Sequence, residues 1–241
     1  MITKWIGLAA LLIAASACSM PTSGTLPTGA AQSSRQMQPV APLSGRTAVR
    51  NFIEVLQAVE PVAERICRAR TVPLNCDFQI VVDARPDVGP NAFQTVSDSG
   101  QPVIAFTVPL IGQARNKDEL AFVMAHEAAH HIQEHINRQN QIAIAGAELF
   151  GQLAAIASGG QAASIRRGQE IGAQVGSRAY SKDFELEADA LGSVIAYQAG
   201  FDPLLGAQFF LRIPDPGDKF LGTHPANADR LETVRQTVSR L

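Results

Sequence analysis

The pattern H-E-x-x-H at residues 126–130 contains the side chains of this sequence that are best suited to chemistry. On an α-helix, His126 and His130 are one turn apart on the same face, so both imidazoles can bind one metal ion. Glu127 follows about 100° around the helix, toward the open side of that ion. Two imidazoles and a third protein ligand suit zinc and leave one position for water, whose pKa zinc lowers to about 7. Glu127 is then placed to accept a proton from that water.

A second zinc motif overlaps the first, because residues 131–135 read H-x-x-E-H. The first motif follows the apolar run 120–124 and is flanked by small alanines, a pattern typical of a buried helix. The second motif leads into the polar residues 137–140, which are typical of a solvated helix end. The sequence therefore favours His126 and His130 as ligands and keeps the inverted motif as the alternative.

A third ligand is expected in the segment 180–192, which predicts another helix. Glu185 and Asp189 are four residues apart, so they lie one turn apart on one face. If Glu185 binds zinc, Asp189 can reach a ligand histidine and hold its ring through the outer N–H. Glu187 is expected to point away from that face. The alternative is that these acids only form a solvated first turn of the helix.

The composition indicates one folded domain with appendages and argues against a nucleic-acid partner. The chain has 241 residues, of which 46% are hydrophobic and 17% are charged, which is ample for a core. Its net charge is −2, and Lys and Arg are scattered along the chain. The basic surface that phosphate binding requires is therefore not indicated.

The first 17 residues have the pattern of a signal peptide. A short start with Lys4 precedes an apolar run over residues 6–15 and a small-residue end directly before Cys18. The apolar run is short for a span of the bilayer. Cys18 is placed as in a bacterial lipobox, although Ala15 replaces the commonest leucine and also suits ordinary signal peptidase. We expect lipidation of Cys18, because an unpaired cysteine at the cleavage point is otherwise unexplained.

Residues 18–44 are predicted to form a lipidated, disordered tether. They are rich in Pro, Ser, Thr, Gly and Gln and have few apolar side chains that could form a core. A flexible chain of about 26 residues has an r.m.s. reach of about 28 Å. Ser19 implies, by resemblance to enterobacterial sorting, the periplasmic side of the outer membrane. A soluble periplasmic protein is the alternative.

Residues 45–241 are predicted to form one domain of the α+β class, mainly α. Apolar residues recur at helical spacing over residues 47–70, and strand-like runs occupy residues 77–83 and 102–108. A weaker run at residues 92–96 is expected to pair between these two strands. The prediction is a helical domain with a small β-sheet beside the helix that carries H-E-x-x-H.

The Ala- and Gly-rich stretch 141–176 has the composition of a membrane hairpin. Glu148 and Gln152 lie within it and argue against a span. Closely packed soluble helices, or a surface that contacts substrate or lipid, are therefore favoured.

Cys67 and Cys76 flank the end of the first predicted helix and the first predicted strand. In an exported protein this spacing favours a disulfide that closes the loop between them. Two buried free thiols are the alternative.

Three groups of residues together resemble one known family: residues 126–130, then Ser181 with Glu185, Ala188 and Asp189, then residues 223–225 with Arg230. They resemble the zinc endopeptidases related to CAAX prenyl endopeptidase and the heat-shock peptidase HtpX, which are of the gluzincin type. The resemblance extends from about residue 50 to the C-terminus. It is greatest to the periplasmic outer-membrane lipoproteins of that family, which trim or control the quality of envelope proteins.

The resemblance implies a role for six residues: zinc ligands His126, His130 and Glu185, the base Glu127, and Asp189 and Arg230 beside the ligands. His135 matches a histidine that is common in the family and is not a ligand. Lys182 departs from the arginine that usually follows the serine, which puts a structural contact in doubt and leaves the zinc site unaffected.

We therefore predict a zinc-dependent endopeptidase that hydrolyses misfolded or misassembled exported envelope proteins and is held at the outer membrane by a lipid anchor. An alternative of another class is a chaperone-like assembly or quality-control factor with a structural or silent metal site. A helical lipoprotein without a metal is the third hypothesis. Zinc content tests the third hypothesis, and an open coordination position separates the first two.

His224 lies between Thr223 and Pro225, and the proline favours extended backbone at that point. It either leads into the last helix, stabilises the oxyanion beside the zinc, or binds zinc in place of water as a latch. We favour the latch, because an unrestrained protease among envelope proteins would be hazardous. H224A should then raise basal proteolysis and self-cleavage. In the oxyanion role it should lower turnover about a hundredfold with zinc retained, so a cleavage assay with zinc analysis distinguishes the two.

Overall fold

The computed structural model describes residues 44–70, 73–214 and 225–241 of the chain. Their secondary structure is mainly helical, with one three-stranded sheet. The predicted class, α+β with a predominance of helix, is therefore confirmed. The predicted signal peptide, Cys18 and nearly all of the predicted tether lie outside the described residues.

Helix α1 (Gly45–Arg70) agrees with the first predicted helix. It buries one apolar strip against helix α3 (Lys117–Ile132), and the strip contains Phe52, Val55, Val59, Val62 and Ile66. Val49 and Ile53 fit the same helical spacing, but they are 56% and 48% exposed. The helix therefore buries a narrower strip than its sequence pattern predicts, because only the side that faces the core is covered.

Strands β1 (Gln79–Asp83), β2 (Ala92–Val96) and β3 (Pro102–Thr107) form the sheet, and the short helix α2 (Val108–Gln113) follows β3. The central strand is β3, which runs parallel to β1 and antiparallel to β2. The expectation that β2 would lie between the other two strands was therefore wrong. Burial explains the order, because β3 places Ile104 and Phe106 in the core whereas β2 alternates half-buried and exposed residues, as an edge strand does.

Helix α3 carries the H-E-x-x-H pattern through the core. It begins after Asn116, whose side chain accepts a hydrogen bond from the Glu119 N–H and so caps the helix. Leu120, Phe122 and Met124 are almost fully buried. Strands β2 and β3 and helices α1 and α6 (Ser181–Gln198) pack around it. The sheet therefore lies beside this helix, as predicted.

Helix α3 ends at Ile132, and helix α4 (His135–Ser158) begins after a two-residue break. Within the break, Glu134 has a φ of 54° in the left-handed region, which costs a non-glycine residue about 1–2 kcal/mol. The change of direction brings His135 against His130. One continuous helix would not place these two rings together, because residues five apart lie on different sides of it.

Helices α4 and α5 (Ala162–Ala179) pack mainly against each other as an antiparallel hairpin. A Cβ atom at Gly172 would overlap the backbone carbonyl of Gly146, so glycine is required for the close approach of the two helices. Closely packed helices were the expected form of this stretch. Of the described helices, α4 is the one whose length and composition would also allow it to cross a membrane.

Helix α6 lies directly against helix α3 at the metal motif. A Cβ atom at Gly192 would lie 3.0 Å from the Cα of His126, which is closer than ordinary packing. Ala188 and Ile195 are fully buried on the same helix. The small side chains of α6 therefore let its acidic residues reach the two histidines of α3.

The last described part of the chain closes the site from the other side. Helix α7 (Pro203–Gly206), the 3-10 helix Ala207–Leu211 and helix α8 (Asn227–Val238) pack together around Phe210 and Val234. Asp118 and Glu119 are acidic residues in the first turn of α3, where the helix dipole favours negative charge. In the structure, Glu119 is 2% exposed and binds Arg212, with Nη1 and Oε1 2.6 Å apart. This partly buried ion pair attaches the residue that follows the 3-10 helix to the start of α3.

The cysteines Cys67 and Cys76 meet where α1 leads toward the sheet. Their Cα atoms are 5.7 Å apart and their Sγ atoms are within bonding distance. Both side chains are buried. The structure thus brings together the two cysteines that the sequence analysis paired.

Candidate metal centre

His126, His130 and Glu185 meet where helices α3 and α6 touch. The Nε2 atoms of the two histidines are 3.0 Å apart, and Glu185 oxygens lie 3.5 Å from His126 Nε2 and 3.4 Å from His130 Nε2. Within the described part of the chain, this is the one group of three His, Cys, Asp or Glu ligand atoms that lie within 4.8 Å of one another. Two imidazole nitrogens and one carboxylate oxygen are the donor set of a catalytic zinc, so these residues fit that ion.

Asp189 contacts the ring of His126 on the side away from Glu185. Its Oδ1 lies 2.9 Å from His126 Nδ1, and its side chain is fully buried. Arg230, on helix α8, donates to both oxygens of Asp189 at 2.7 Å, and its guanidinium lies 3.7 Å from the centre of the Phe210 ring. A carboxylate that holds the outer nitrogen of a histidine orients that ring toward a metal.

The carboxylates around His126 also change its protonation. Burial acts to lower the pKa of His126, but hydrogen bonds to Asp189 and then to Glu185 outweigh it and raise the pKa to about 10. A metal ion that binds His126 at neutral pH must therefore displace a proton.

We predict that zinc affinity rises with pH through the neutral range. A folded-state pKa of about 10 means that His126 carries its proton below that pH, so acid opposes binding and alkali favours it. Release of one proton corresponds to an affinity about tenfold tighter for each pH unit. Competition with a chelator of known pH dependence, from about pH 6 to about pH 8, measures the slope. An affinity that does not change with pH would contradict protonated His126.

His135 joins His130 to Glu187. Its Nδ1 lies 2.8 Å from the Nδ1 of His130, and its Nε2 lies 3.1 Å from a Glu187 oxygen. Burial, and next the charge of nearby His130, lower the pKa of His135 to about 4, so the ring is neutral at neutral pH. Neutral His135 can accept a hydrogen bond at Nδ1 from the Nδ1–H of His130 and donate a hydrogen bond from its own Nε2–H to Glu187. That arrangement leaves Nε2 of His130 available to a metal.

Glu187 turns away from the three ligands, as predicted, but its partners were not found from the sequence. It accepts hydrogen bonds from His135 and from Arg138, whose Nη1 lies 2.6 Å away. The Arg138 guanidinium lies over the Phe184 ring, and that ring stacks on His135. Sequence spacing could not find these contacts, because they form only after the break between α3 and α4. The available signal was His135 itself, five residues after His130, which matches a common histidine of the family that is not a ligand.

Glu127 faces a cleft of about 710 Å³ that also exposes the three ligands. It is half-buried and directly follows His126 on helix α3. Six other parts of the fold line the cleft: edge strand β2, helix α2, the start of α4, the start of α6, the 3-10 helix with Phe209 and Phe210, and the start of α8. A carboxylate beside the ligand group, open to a space that can hold a peptide, is suited to proton transfer.

The inverted motif at residues 131–135 is not assembled. The Nε2–H of His131 donates to the carbonyl of Asn75 at 2.7 Å, and its ring packs against Phe78. Helix α3 ends at Ile132, between His131 and His135. The ring of His135 contacts His130 and not His131. The structure therefore brings together the ligand atoms of the first motif and separates those of the second.

His224 lies outside the described residues, so each of its three proposed roles stays a prediction. Pro225, the residue that follows it, is described and buried. Of the group formed by residues 223–225 and Arg230, the structure describes Pro225 and Arg230, and Arg230 lies at the metal centre through its contact with Asp189.

Comparison with known proteins agrees with this geometry. Residues 55–238 match peptidase family M48. The match includes the three candidate ligands, Glu127, Asp189 and Arg230. The chain therefore belongs to peptidase family M48, a family of metallopeptidases, and the family that its motifs predicted is confirmed.

Among individual proteins, the chain is similar to a Vibrio cholerae protein, with 29% identity over 184 residues, which are 67% of this chain and 37% of the relative. It is 30% identical over 138 residues to the beta-barrel assembly-enhancing protease of Yersinia pestis, and 28% identical over 138 residues to that of Escherichia coli K12. These two matches cover 52% of this chain and 28% of each relative. The chain thus spans little more than a third of the length of these relatives, or less.

Proposed function

We propose that the protein is a zinc-dependent endopeptidase that hydrolyses misfolded or misassembled exported polypeptides. The observation that supports this most is the ligand group of His126, His130 and Glu185, which opens into the cleft lined by Glu127. A structural zinc site is closed by four protein ligands, whereas a catalytic site keeps one position for water or substrate. Three ligands from the described residues, next to a carboxylate and a cleft, fit the catalytic type.

Zinc held by His126, His130 and Glu185 would supply Lewis-acid activation of water and of the scissile carbonyl. The protein's own contribution is to hold the ligands in place. Asp189 and His135 each contact the outer nitrogen of one ligand imidazole. These contacts aim both Nε2 atoms at the same point and fix the tautomers that metal binding needs.

Glu127 would serve first as the general base and then as the general acid. Its carboxylate accepts a proton from the attacking water and returns it to the amine that leaves when the peptide bond breaks. Its place on α3 supports both steps, because the residue directly after His126 stays close to the ligand group while it faces the cleft.

The edge strand β2 would orient the substrate. In the described sheet, β2 pairs with β3 on one side only, and its residues Ala92, Phe93 and Gln94 line the cleft. An extended peptide can add to a free strand edge by main-chain hydrogen bonds, which form with little regard to side chains. This mode of binding favours unfolded segments over folded ones, because a folded substrate has already paired its own backbone.

We place the proposed enzyme in the periplasm, on the outer membrane. Two of its relatives are named for beta-barrel assembly, and residues 1–17 have the pattern of a signal peptide. Acylated Cys18 and the tether 18–44 would then hold the peptidase domain, residues 45–241, near the membrane. Mass spectrometry of the mature N-terminus tests the anchor, since an unmodified first residue would indicate a soluble periplasmic protein.

We also propose that Cys67 and Cys76 form a disulfide in that oxidising compartment. Their Cα separation of 5.7 Å is within the usual range for the bond. Thiol titration of the unfolded, unreduced protein tests it, and two reactive thiols in this loop would contradict it.

Cleavage of casein as an unfolded substrate, with and without a chelator, tests the proposed function. We expect about one zinc ion per chain and a cleavage activity that chelation removes and added zinc restores. A chain without zinc after mild purification would contradict the proposal and favour a helical lipoprotein without a metal. Bound zinc without cleavage would favour the chaperone-like factor with a silent metal site.

A further inference from the structure

We infer that the tip of the α4–α5 hairpin binds the surface of an anionic lipid bilayer. The hairpin tip is defined as residues 149–169, which include the end of α4, the turn and the first part of α5. Large apolar side chains are exposed on it: Leu149 is 55%, Leu153 54% and Ile156 82% exposed. These three residues are four and three positions apart, so they lie along one side of α4. Moving such a row from water into the lipid interface is favourable.

The charge of the hairpin tip favours an anionic partner. Residues 149–169 contain Arg166 and Arg167 and have no Asp or Glu, although the whole chain has a net charge of −2. Both arginines are exposed. Glu148 and Glu170 stand directly outside the tip, so the positive charge is confined to its end. Apolar side chains next to arginines form the combination that binds the headgroup region of anionic membranes.

The position of the tip distinguishes it from the peptide cleft. Helix α4 lines the cleft with His135, Ile136 and Gln139, and α5 does not contribute to the lining. Ile156 is about 26 Å farther along the helix than Gln139, at about 1.5 Å per residue. A peptide bound at the metal centre would therefore not contact the tip unless it extended well beyond the cleft. A membrane fits this position better than a substrate does.

The hairpin is suited to lie at the membrane surface and not to cross it. Among the described helices, α4 has the length and composition of a span, and few of its residues are buried in the protein. Its partner α5 carries four charged residues, Arg166, Arg167, Glu170 and Arg178, which would be costly in a hydrocarbon core. Insertion of the tip by about 5–10 Å would bury Ile156 and bring Leu153 to the interface, and it would leave both arginines near the lipid phosphates.

The length of chain before the domain is compatible with this contact. The described residues begin at Ser44, and the predicted lipid anchor at Cys18 would allow a reach of about 28 Å. Helix α4 has 24 residues and is about 36 Å long. A domain held that close to a bilayer would bring the hairpin tip within contact distance, so two weak attachments would act together.

A tryptophan at the tip of the mature full-length chain tests the inference. The natural sequence has a single tryptophan, Trp5, in the predicted signal peptide, so I156W reports on the tip and the unsubstituted chain provides the background. We expect a blue-shifted emission, and quenching by brominated lipids, on vesicles of phosphatidylethanolamine with roughly one quarter phosphatidylglycerol. L204W is the matched control, because Leu204 is 41% exposed on α7 and lies outside the hairpin; it should not be quenched.

Substitution of both arginines tests the role of charge. R166Q combined with R167Q, in the I156W chain, should weaken binding to anionic vesicles about 30-fold. The I156W chain with both arginines kept should bind vesicles of phosphatidylcholine alone about equally weakly. These side chains are exposed, and circular dichroism checks that the fold is kept. Absence of quenching for I156W on anionic vesicles would overturn the inference. A blue shift that appears without lipid and depends on protein concentration would also overturn it, since it would indicate a second copy of the chain as the partner. A blue shift that requires casein would overturn it in favour of a substrate.

Discussion

Replacement of Glu127 by glutamine should lower peptide hydrolysis by about 10²- to 10⁴-fold while zinc stays bound. Glutamine keeps the size of the side chain and removes its ability to accept a proton. The zinc ligands His126, His130 and Glu185 are unchanged, and Glu127 is only half-buried, so the fold should be preserved. Cleavage of casein together with zinc analysis of the same E127Q preparation measures both quantities.

Glu148 provides a matched control for this change, because it is an exposed glutamate on α4 outside the cleft. E148Q should cleave casein at the rate of the unsubstituted enzyme. An E127Q chain that cleaves at an unchanged rate would refute the assignment of the base. If E127Q loses cleavage but fully complements a strain that lacks the protein, the chaperone-like role would be favoured over the peptidase role.

Replacement of Glu185 by glutamine should weaken zinc binding by about 100-fold or more. A neutral amide is a much poorer zinc ligand than a carboxylate, and loss of a direct ligand should exceed the effect of removing a supporting group. Among the described residues, Glu185 is the carboxylate whose oxygens lie close to Nε2 of both His126 and His130. Competition with a chelator at fixed pH measures the affinity, and proteolysis should be lost in parallel unless zinc is in large excess.

Two further substitutions on α6 separate ligand loss from a general change of charge. D183N alters an exposed acid in the first turn of the same helix, and its zinc affinity should be unchanged. D189N removes the carboxylate that contacts His126 Nδ1, and an intermediate loss of about 10- to 100-fold is expected. An E185Q chain with the affinity of the unsubstituted protein would exclude Glu185 as a ligand.

The sequence alone was sufficient for the features that depend on local periodicity. Helix α1, helix α3 with its H-E-x-x-H pattern and helix α6 each repeat apolar or small residues at helical spacing, and the structure has all three. The four-residue spacing from His126 to His130 places two imidazoles on one face of any helix. The motifs also identified the family, because the chemistry of the site requires particular residue types at particular spacings.

Tertiary structure decided every feature that joins distant parts of the chain. Glu185 meets His126 because the small residues of α6, Gly192 among them, allow close contact with α3. Likewise, Arg230 reaches Asp189 only after α8 has packed against α6. Such pairings depend on which helix faces which, and that is set by burial of the whole core and not by spacing within one segment.

The break at Glu134 and the order of the sheet have the same origin. The helical pattern of the sequence is not interrupted at residues 131–135. It therefore cannot show that the chain turns there and places His135 against His130. The strand at residues 92–96 could be detected, but its place at the edge beside the cleft depends on the core packing of β3. The local sequence pattern therefore predicted which residues could bind a metal or transfer a proton, and only packing could decide which of them meet.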